Sequence, residues 1–488
     1  MIVIVLLLIS FFTGILAWMV PGQEKKEKIN VIGSCILACT GIVLSWQVFS
    51  MGTFYAIDRA IYVDPFSALI IIVIVIVNLA VSLYSIPYLK REVSHGLVTR
   101  EQSEKFYLWY HVFVTTMLSV VVVNNLGLMW VAIEATTLAS ALLVGFYDHK
   151  HSLEAAWKYV ILCTVGITFG LFGTIFTYYS AMEILGHGTD ALYWTKLMEI
   201  APRLDPSLLK LAFVFILVGY GTKAGLAPLH NWLPDAHSQA PTPISAVLSG
   251  VLLNCALYGI IRFYSLTNSA LLGEFSQQLL LVFGLVSIGI AVPFIVLQKD
   301  IKRLLAYSSV EHMGIIALGV GLGSKLALMG AMFHLFNHAM AKSMFFMAVG
   351  NIAQKFNTKN ITRIKGIVHV MPATVVFFLI GAFALTGLPP FSIFMSEFTI
   401  AWAGFTAGKY MVSSLYLLFI ALIFAGLGYH VTNMSFGRLS RRVAKEKENT
   451  WLLAAMCIPL LFVIGLGFST PAFVTDILEQ IAVVVGGE

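Results

Sequence analysis

Charged side chains are scarce in this sequence. Asp, Glu, Lys and Arg make up 11% of the 488 residues, whereas a typical soluble domain contains about 25%. Apolar runs of roughly 18 or more residues recur along nearly the whole length, and a soluble core could not bury them all. We therefore expect an all-α polytopic membrane protein, because lipid offers no hydrogen-bond partner to an open backbone.

Motifs for redox centres, metals and nucleotides are also lacking. The five cysteines all fall in apolar runs, and none has CxxC or iron–sulfur spacing. No GxGxxG, Walker A or GxSxG element occurs. The basic residues are spread over loops without an aromatic-basic face, which argues against nucleic-acid binding. We expect no cofactor, metal or nucleotide in this chain.

Fourteen apolar runs are predicted to be transmembrane helices. They lie near residues 2–20, 30–51, 66–88, 107–124, 126–147, 156–180, 208–228, 243–264, 277–297, 303–322, 326–350, 371–400, 410–433 and 451–470. The loops after odd-numbered spans hold about 20 Lys and Arg, the even-numbered loops about 7, so the positive-inside rule predicts cytoplasmic odd loops. Both termini are then expected outside.

Two segments of the sequence repeat one pattern. Residues 225–233 and 387–395 each read Gly-Leu-x-Pro, an apolar residue, two further residues, an aromatic residue and an apolar residue. Helices should break at the residues Gly225, Pro228, Gly387, Pro389 and Pro390. A second, weaker similarity relates Lys158 to Lys342, because each is followed eight residues later by glycine. Chance similarity between apolar segments is the alternative explanation.

The repeat predicts an inverted architecture with discontinuous seventh and twelfth helices. The matching breaks lie five spans apart, so the second copy must cross the membrane in the opposite direction. The predicted units are spans 1–3 (1–104), the first repeat (105–265), the inverted repeat (270–435), and a cytoplasmic loop with span 14 (436–488). Inverted repeats with broken helices indicate a transport site near the membrane midplane.

Several ionisable side chains fall inside the predicted spans. They are Glu134, Lys223, His334, His338, Lys342 and Glu397. One charge at a helix centre costs about 2.5–3.5 kcal/mol, so the two acids and two lysines would together cost about 10–14 kcal/mol unless paired, neutral or hydrated. Opposite charges about 4 Å apart regain about 4 kcal/mol at an effective dielectric near 20.

A proton relay is the function that these groups favour. A buried lysine holds its proton less tightly, and a nearby carboxylate restores the affinity. Histidine passes protons near neutral pH, and His334, His338 and Lys342 share one helix face at i, i+4 and i+8. The alternative is a static salt bridge that fixes helix packing. A zinc site at the two histidines is disfavoured, because no HExxH glutamate is present and a lysine shares their face.

Other polar residues allow two interpretations. Lys158, near the cytoplasmic start of span 6, either extends to the interface or joins the relay. Asp235, with His230 and His237, forms either a proton intake or a capped loop. Residues 300–303 are expected at a solvated helix start, and residues 311–312 are candidates for a funnel near that edge.

Five motifs carry a resemblance to a known family. They are Trp130-x3-Glu134, the run from Lys223 to His237, Gln239-Ala-Pro-Thr-Pro243, Lys302-Arg-Leu-Leu-Ala-Tyr-Ser-Ser309 and His334-x3-His338-x3-Lys342. They resemble the proton-pumping antiporter-like subunits of respiratory complex I. That family includes subunits of multi-subunit sodium/proton antiporters and of group 4 nickel–iron hydrogenases. The resemblance covers about residues 105–435, and residues 245–259 look nearest to the hydrogenase-4 and formate hydrogenlyase branch.

The resemblance implies roles for individual residues. Glu134 and Lys223 match the family's ion pair, whose separation starts proton movement there. The stripe on span 11 matches the central connection, and Glu397 matches the terminal acid or base. Many complex I relatives carry a lysine where this sequence has Asn254, which cannot hold a proton. The relay must then pass through water or the span-11 stripe, or it is weakened.

The resemblance also implies a setting for the chain. It implies a subunit of a prokaryotic plasma (inner) membrane complex that moves protons, with or without sodium exchange. Other membrane subunits and a peripheral redox arm would be its partners, and that arm would hold the nickel–iron, iron–sulfur or flavin centres. Alternatives are a complex I subunit, a sodium/proton antiporter without a redox partner, and a structural subunit whose relay has decayed.

Overall fold

Helices account for nearly all of the structure. The computed structural model describes residues 2–438, 443, 445 and 447–486. The helices are α1 (Ile2–Met19), α2 (Gln23–Met51), α3 (Pro65–Ser94), α4 (Arg100–Val122), α5 (Leu126–Val144), α6 (Lys150–Leu185), α7 (Trp194–Ile200), α8 (Pro206–Ala224), α9 (Leu233–Gln239), α10 (Thr242–Val247), α11 (Leu253–Thr267), α12 (Gly273–Val296), α13 (Ile301–Gly321), α14 (Lys325–Phe356), α15 (Ile367–Val370), α16 (Pro372–Leu385), α17 (Ser392–Thr406), α18 (Tyr410–Phe436), α19 (Thr450–Phe468) and α20 (Ala472–Gly486). Strands β1 (Phe54–Ala56) and β2 (Ile61–Val63) form one antiparallel hairpin.

The helices have the lengths and composition of a multi-pass membrane protein. Within the described residues, 11 helical segments are long and apolar enough to cross a membrane. One of them is the 55-residue stretch Thr242–Val296, which bends at Leu271, where φ is 61°. The all-helical membrane fold is therefore confirmed. The count of fourteen spans and the inverted repeats stay predictions.

Three segments differ from the sequence-based expectation. The loop expected between the eighth and ninth spans is helical, since π-helical turns at 248–252 and 268–272 join α10, α11 and α12. The hairpin at 54–63 is not predicted from the sequence. Helix α20 follows the last predicted span; its apolar face packs on α14 and α3, and it is too short for a typical membrane span. The predicted charged loop at 436–449 lies partly outside the described residues.

Both segments that share the repeated pattern interrupt a helix. Helix α8 ends at Ala224, Gly225 adopts φ 75°, and α9 begins eight residues beyond it. Helix α16 ends at Leu385, Gly387 adopts φ 64°, and α17 begins at Ser392. Each break contains a cis peptide bond, Ala227–Pro228 and Pro389–Pro390. Glycine suits the left-handed conformation, and proline removes a helical N–H donor.

The interior is built around α13 and α14. All but two of the 21 residues of α13 are buried, and the helix packs against α9, α12 and α14. Helix α14 is enclosed by α10, α16, α17, α19 and α20. By contrast, α6 and α18 leave apolar faces exposed, as expected for helices that face lipid or other subunits. Polar groups on α13 and α14 therefore lie in the interior of the molecule.

A buried ion pair connects the hairpin region to α11. Asp64 caps α3 by accepting a hydrogen bond from Ser67 N at 2.9 Å. Both terminal nitrogens of the Arg262 guanidinium donate to its carboxylate at 2.6 Å. Aromatic rings surround this guanidinium, with Trp194 nearest at 4.4 Å. This bidentate pair fixes the start of α3 against α11.

Candidate functional site

Lys223 lies at the end of α8, just before the first helix break. It is fully buried. Its Nζ donates to Tyr159 OH at 2.6 Å and to Thr137 Oγ1 at 2.8 Å, and it lies 4.7 Å from the Tyr159 ring centroid. Tyr159 OH is also 2.6 Å from Ser140 Oγ. Hydroxyl groups of α5 and α6 therefore hold the ammonium group in place.

Glu134 reaches Lys223 through Thr137. Thr137 lies one turn after Glu134 on α5 and donates to its Oε2 at 3.3 Å, while Thr164 donates to Oε1 at 2.8 Å. Among the described residues, no direct ion pair within 4.0 Å joins Glu134 to Lys223. The two groups that the family resemblance pairs are thus bridged by one hydroxyl, because a threonine can accept from an ammonium group and donate to a carboxylate. We name Glu134, Thr137, Tyr159 and Lys223 the first group.

The predicted histidine stripe on α14 extends to two neighbouring helices. His334 Nε2 lies 2.9 Å from His312 Nδ1 on α13, and His334 Nδ1 lies 3.0 Å from Ser396 Oγ on α17. The His312 and His338 ring centroids are 5.1 Å apart. All three histidines are fully buried. The sequence predicts His312 near a membrane-edge funnel, but it lies at the centre of this cluster.

Glu397 and Lys342 lie at the two ends of the histidine cluster. Glu397 follows Ser396 on α17, and a Cβ built at Gly387 would overlap its Oε2. Potential metal-ligand atoms, one each from Glu397, His312 and His334, lie within 4.8 Å of one another. At the other end, Lys342 Nζ donates to Leu305 O at 2.9 Å. We name Lys342, His338, His312, His334, Ser396 and Glu397 the second group.

A metal ion fits the second group poorly. His312 Nδ1 and His334 Nε2 already bond to each other, and His334 Nδ1 bonds to Ser396. His312 Nε2 and Glu397 Oε1 are buried and have no partner among the described residues. Protein zinc sites use three or four ligands, so the hydrogen bonding favours proton exchange over metal binding.

Lys158 does not join either group. Its Nζ lies 2.7 Å from Glu154 and 3.3 Å from Asp235, and its side chain is 48% exposed. Asp235 also pairs with Arg303. This surface cluster agrees with the interpretation that Lys158 extends to the interface. The expectation of a solvated helix start at residues 300–303 is wrong for Lys302, which is 2% exposed.

Asn254 lies in the interior on α11, which packs against α8, and Gly250, one turn before it, lies close to Ala339 on α14. Asn254 is fully buried, its Nδ2 donates to Gly250 O at 2.8 Å, and its Oδ1 has no partner among the described residues. Nearby, Ser249 Oγ lies 2.7 Å from Ser309 Oγ on α13. No direct hydrogen bond between the two groups occurs in the described part of the chain.

Sequence reasoning missed the neutral members of the site. Thr137 follows Glu134 by three residues, the spacing at which helical side chains meet. Ser396 directly precedes Glu397, so the sequence places it beside any site that contains this glutamate. Tyr159 and Thr164 lie on α6 and carry no local signal, because only the packing of α6 against α5 and α8 brings them to the site.

Comparison with known proteins identifies the family. The family described as "NADH:quinone oxidoreductase/Mrp antiporter, TM" matches residues 123–425, well over half of the chain. The family described as "NADH-Ubiquinone oxidoreductase (complex I), chain 5 N-terminus" matches residues 46–96. The chain belongs to the complex I and Mrp antiporter-like family.

Individual members of the antiporter-like family match most of the chain. A hydrogenase-4 component F homolog from Methylacidiphilum infernorum is 37% identical over 88% of this chain and 89% of its own length. An NADH-quinone oxidoreductase subunit N from Desulforudis audaxviator is 31% identical over 83% of this chain and 80% of its own. The family assignment made from the motifs is confirmed, as is the similarity to hydrogenase-4 components.

A solved structure shares the antiporter-like fold. A chain of the membrane-bound sulfane sulfur reductase, an archaeal respiratory membrane complex, superimposes with a TM-score of 0.87. The match covers 99% of this chain and 97% of that chain at 23% identity. At this identity the likeness shows the fold alone.

Proposed function

We propose that this antiporter-like chain translocates protons as a membrane subunit of a redox-driven complex of the hydrogenase type. The observation that carries the proposal is the pair of buried groups of protonatable side chains in the interior. Hydrogen bonds join all four members of the first group, and join His312, His334 and Ser396 in the second. Ionisable side chains are expensive within a membrane, and they mark proton relays when they face the protein interior. Six of the seven predicted relay residues belong to the two groups, and Lys158 does not.

The first group is suited to loading and releasing a proton. Lys223 donates to the Thr137 hydroxyl, and that hydroxyl donates to Glu134. A proton therefore passes from the lysine to the glutamate when each hydrogen shifts along its own hydrogen bond. Movement of Glu134 away from Thr137 would weaken the hold on the Lys223 proton. Lys223 is the proposed loading station.

The second group is suited to carrying a proton across the interior. A neutral imidazole has one N–H donor and one acceptor nitrogen, so the chain His312, His334 and Ser396 can pass a proton by exchange of tautomers. His338 lies against His312, and Lys342 follows it by one turn. Glu397 at the far end is the proposed exit.

Transfer between the two groups is proposed to use water. Asn254 cannot carry a proton, but its free Oδ1 can accept a hydrogen bond from water, as can the Ser249 and Ser309 hydroxyls. This position replaces the lysine of many complex I relatives. The water-mediated crossing is therefore the step at which this chain would differ from them.

The hydrogenase-type setting rests on the relative that is 37% identical over nearly the full length of both chains. Partner subunits would hold the nickel–iron, iron–sulfur or flavin centres and supply the electrons. The similarity to an NADH-quinone oxidoreductase subunit N favours a second candidate, a complex I subunit. A sodium/proton antiporter without a redox partner is the third.

Substitution of Lys223 tests the relay directly. The complex that contains this chain is purified, reconstituted into liposomes with a trapped pH-sensitive dye, and driven by its electron donor. Lys223→Met and Glu134→Gln should each abolish proton transport while the complex still assembles. Lys210→Met is the matched control, because Lys210 lies on the same helix but is exposed. Normal transport by both relay variants would refute the proposal.

The subunits that copurify with the chain identify the branch of the family to which its complex belongs. Mass spectrometry of the native complex should find a nickel–iron hydrogenase large subunit. Quinone-reducing subunits in its place would support the complex I candidate. A set of small membrane subunits without any redox subunit would support sodium/proton antiport.

A further inference from the structure

A cavity of about 370 Å³ opens at one end of the molecule. It lies where α3 ends, α13 begins and α14 ends, on the side that the loop charges predict to be cytoplasmic. Its walls include Tyr88, Glu92, His149, Thr242, Lys302 and Lys359. The cavity is large enough for several water molecules, each of which occupies about 30 Å³ in the liquid.

The inner wall of this cavity carries charged groups that the first and second groups do not use. Lys302 is 2% exposed and Glu92 is 4% exposed. Lys302 Nζ donates to Ala240 O at 2.5 Å, and Lys359 Nζ donates to Ser238 O at 2.5 Å. Within the described residues neither lysine has a carboxylate oxygen within 4.0 Å, so both ammonium groups retain donors for water.

His237 lies between this wall and the second group. It is fully buried, and neither ring nitrogen has a hydrogen-bond partner in the described part of the chain. Its ring stacks on Phe346, with 5.4 Å between the centroids. Phe346 lies one turn beyond Lys342 on the same face of α14. On the other side, Ala240, whose carbonyl oxygen accepts the Lys302 Nζ hydrogen bond, follows His237 by three residues.

Measured along α13, Lys302 and the carbonyl group that holds the Lys342 amine lie about one helical turn apart. Lys342 Nζ donates to Leu305 O, and Leu305 follows Lys302 by three residues, a rise of about 4.5 Å. Lys302 in the cavity wall and the Lys342 amine therefore lie at successive depths along α13. His237 lies near both, because it is three residues from the acceptor of Lys302 and stacks on Phe346, one turn from Lys342.

We propose that this cavity is the proton intake of the second group and that His237 passes protons from Lys302 to Lys342. Water in the cavity protonates the Lys302 amine, the ammonium group gives its proton to one nitrogen of His237, and the other nitrogen gives a proton to the Lys342 amine. Each step moves one proton between two bases and requires no other reactant. The inference rests on the proposed function.

His237→Gln tests the transfer step, since glutamine cannot relay a proton as imidazole does. In the reconstituted complex it should lower proton transport by at least about tenfold, a modest share of what a general acid–base group contributes. His111→Gln is the matched control: His111 is also fully buried, but it lies on α4 and bonds to Asn30. Its transport should be unchanged.

Ala353→Cys tests whether water reaches the cavity. Ala353 lines the cavity and is partly buried. A charged, membrane-impermeant thiol reagent added from the cytoplasmic side should modify this cysteine and block transport. Leu422→Cys, on an exposed apolar face of α18, should not react.

The outcomes separate the intake from the relay. Normal transport by His237→Gln together with failure of Lys223→Met overturns the intake and leaves the relay intact. Normal transport by both variants overturns the relay as well. If His237→Gln does not assemble, the thiol experiment decides: modification that blocks transport supports the intake, and modification without block, or no modification, refutes it.

Discussion

At the scale of single residues, the Thr137 hydroxyl is the hydrogen-bonded link between Lys223 and Glu134. Its hydroxyl accepts from Lys223 at 2.8 Å and donates to Glu134 at 3.3 Å. A neutral bridge of this kind keeps the charges apart while it leaves them hydrogen-bonded. In the proposed relay, small shifts of α5 against α8 would change whether Lys223 or Glu134 holds the proton.

Thr137→Val should slow proton transport by about tenfold or more. A hydrogen bond to a charged group contributes about 1.5–3 kcal/mol, and about 1.4 kcal/mol corresponds to a factor of ten in rate. Thr137→Ser keeps the hydroxyl and should transport nearly normally. Thr136→Val is a further control, because that hydroxyl bonds only within its own helix, to Ile133 O. Equal rates for the two valine variants would contradict the bridging role.

At the scale of elements, each helix break lies beside one end of the proposed relay. The first break directly follows Lys223, and the second leaves room for the Glu397 carboxylate beside Gly387. Both glycines adopt positive φ, but only Gly387 has a relay carboxylate at the position that its Cβ would occupy. The second break thus determines where the proposed exit lies.

Gly387→Ala should impair transport as well as stability. Alanine at positive φ costs about 1–2 kcal/mol, and its Cβ would also displace Glu397. Gly408→Ala is the matched control, since Gly408 has φ 72° and a Cβ at that position would meet nothing within 4 Å. Both variants should lower the thermal midpoint, but only Gly387→Ala should reduce proton transport in liposomes. Equal transport in the two variants would argue against this role of the break.

At the scale of the whole molecule, the Asp64–Arg262 pair holds distant parts of the chain together. Burial opposes ionisation of Asp64, yet the Arg262 guanidinium beside it holds the pKa of that carboxyl below its ordinary value. The stabilisation is therefore present at neutral pH and is lost as the pH falls through the lowered pKa.

Arg262→Met should destabilise the protein by about 3–5 kcal/mol, because it leaves Asp64 buried without a partner. The double change of Asp64→Leu with Arg262→Met should cost less, since no charge then remains unpaired. Thermal unfolding of the purified complex at neutral pH measures both. A single variant as stable as the unaltered protein would show that the pair contributes little.

The membrane class and most charged or imidazole members of the two buried groups are predictable from the sequence, for identifiable reasons. Glu134 and Lys223 stand out because charges are rare in apolar runs, and the His334 stripe follows from helical periodicity. The predicted position of His312 is too near the surface, because its depth depends on how α13 packs against α14. The burial of Lys302 cannot be predicted for the same reason. Contacts between helices that are distant in sequence leave no local sequence pattern.

The number of protons moved per electron is the decisive measurement for the proposed relay. It is measured with the same reconstituted complex, as dye-reported proton transport against electrons passed to the acceptor. A ratio near zero is expected for Lys223→Met, and an unchanged ratio for Lys210→Met. The same ratio in the unaltered complex and in Lys223→Met would contradict the claim that protons pass through this chain by its buried relay.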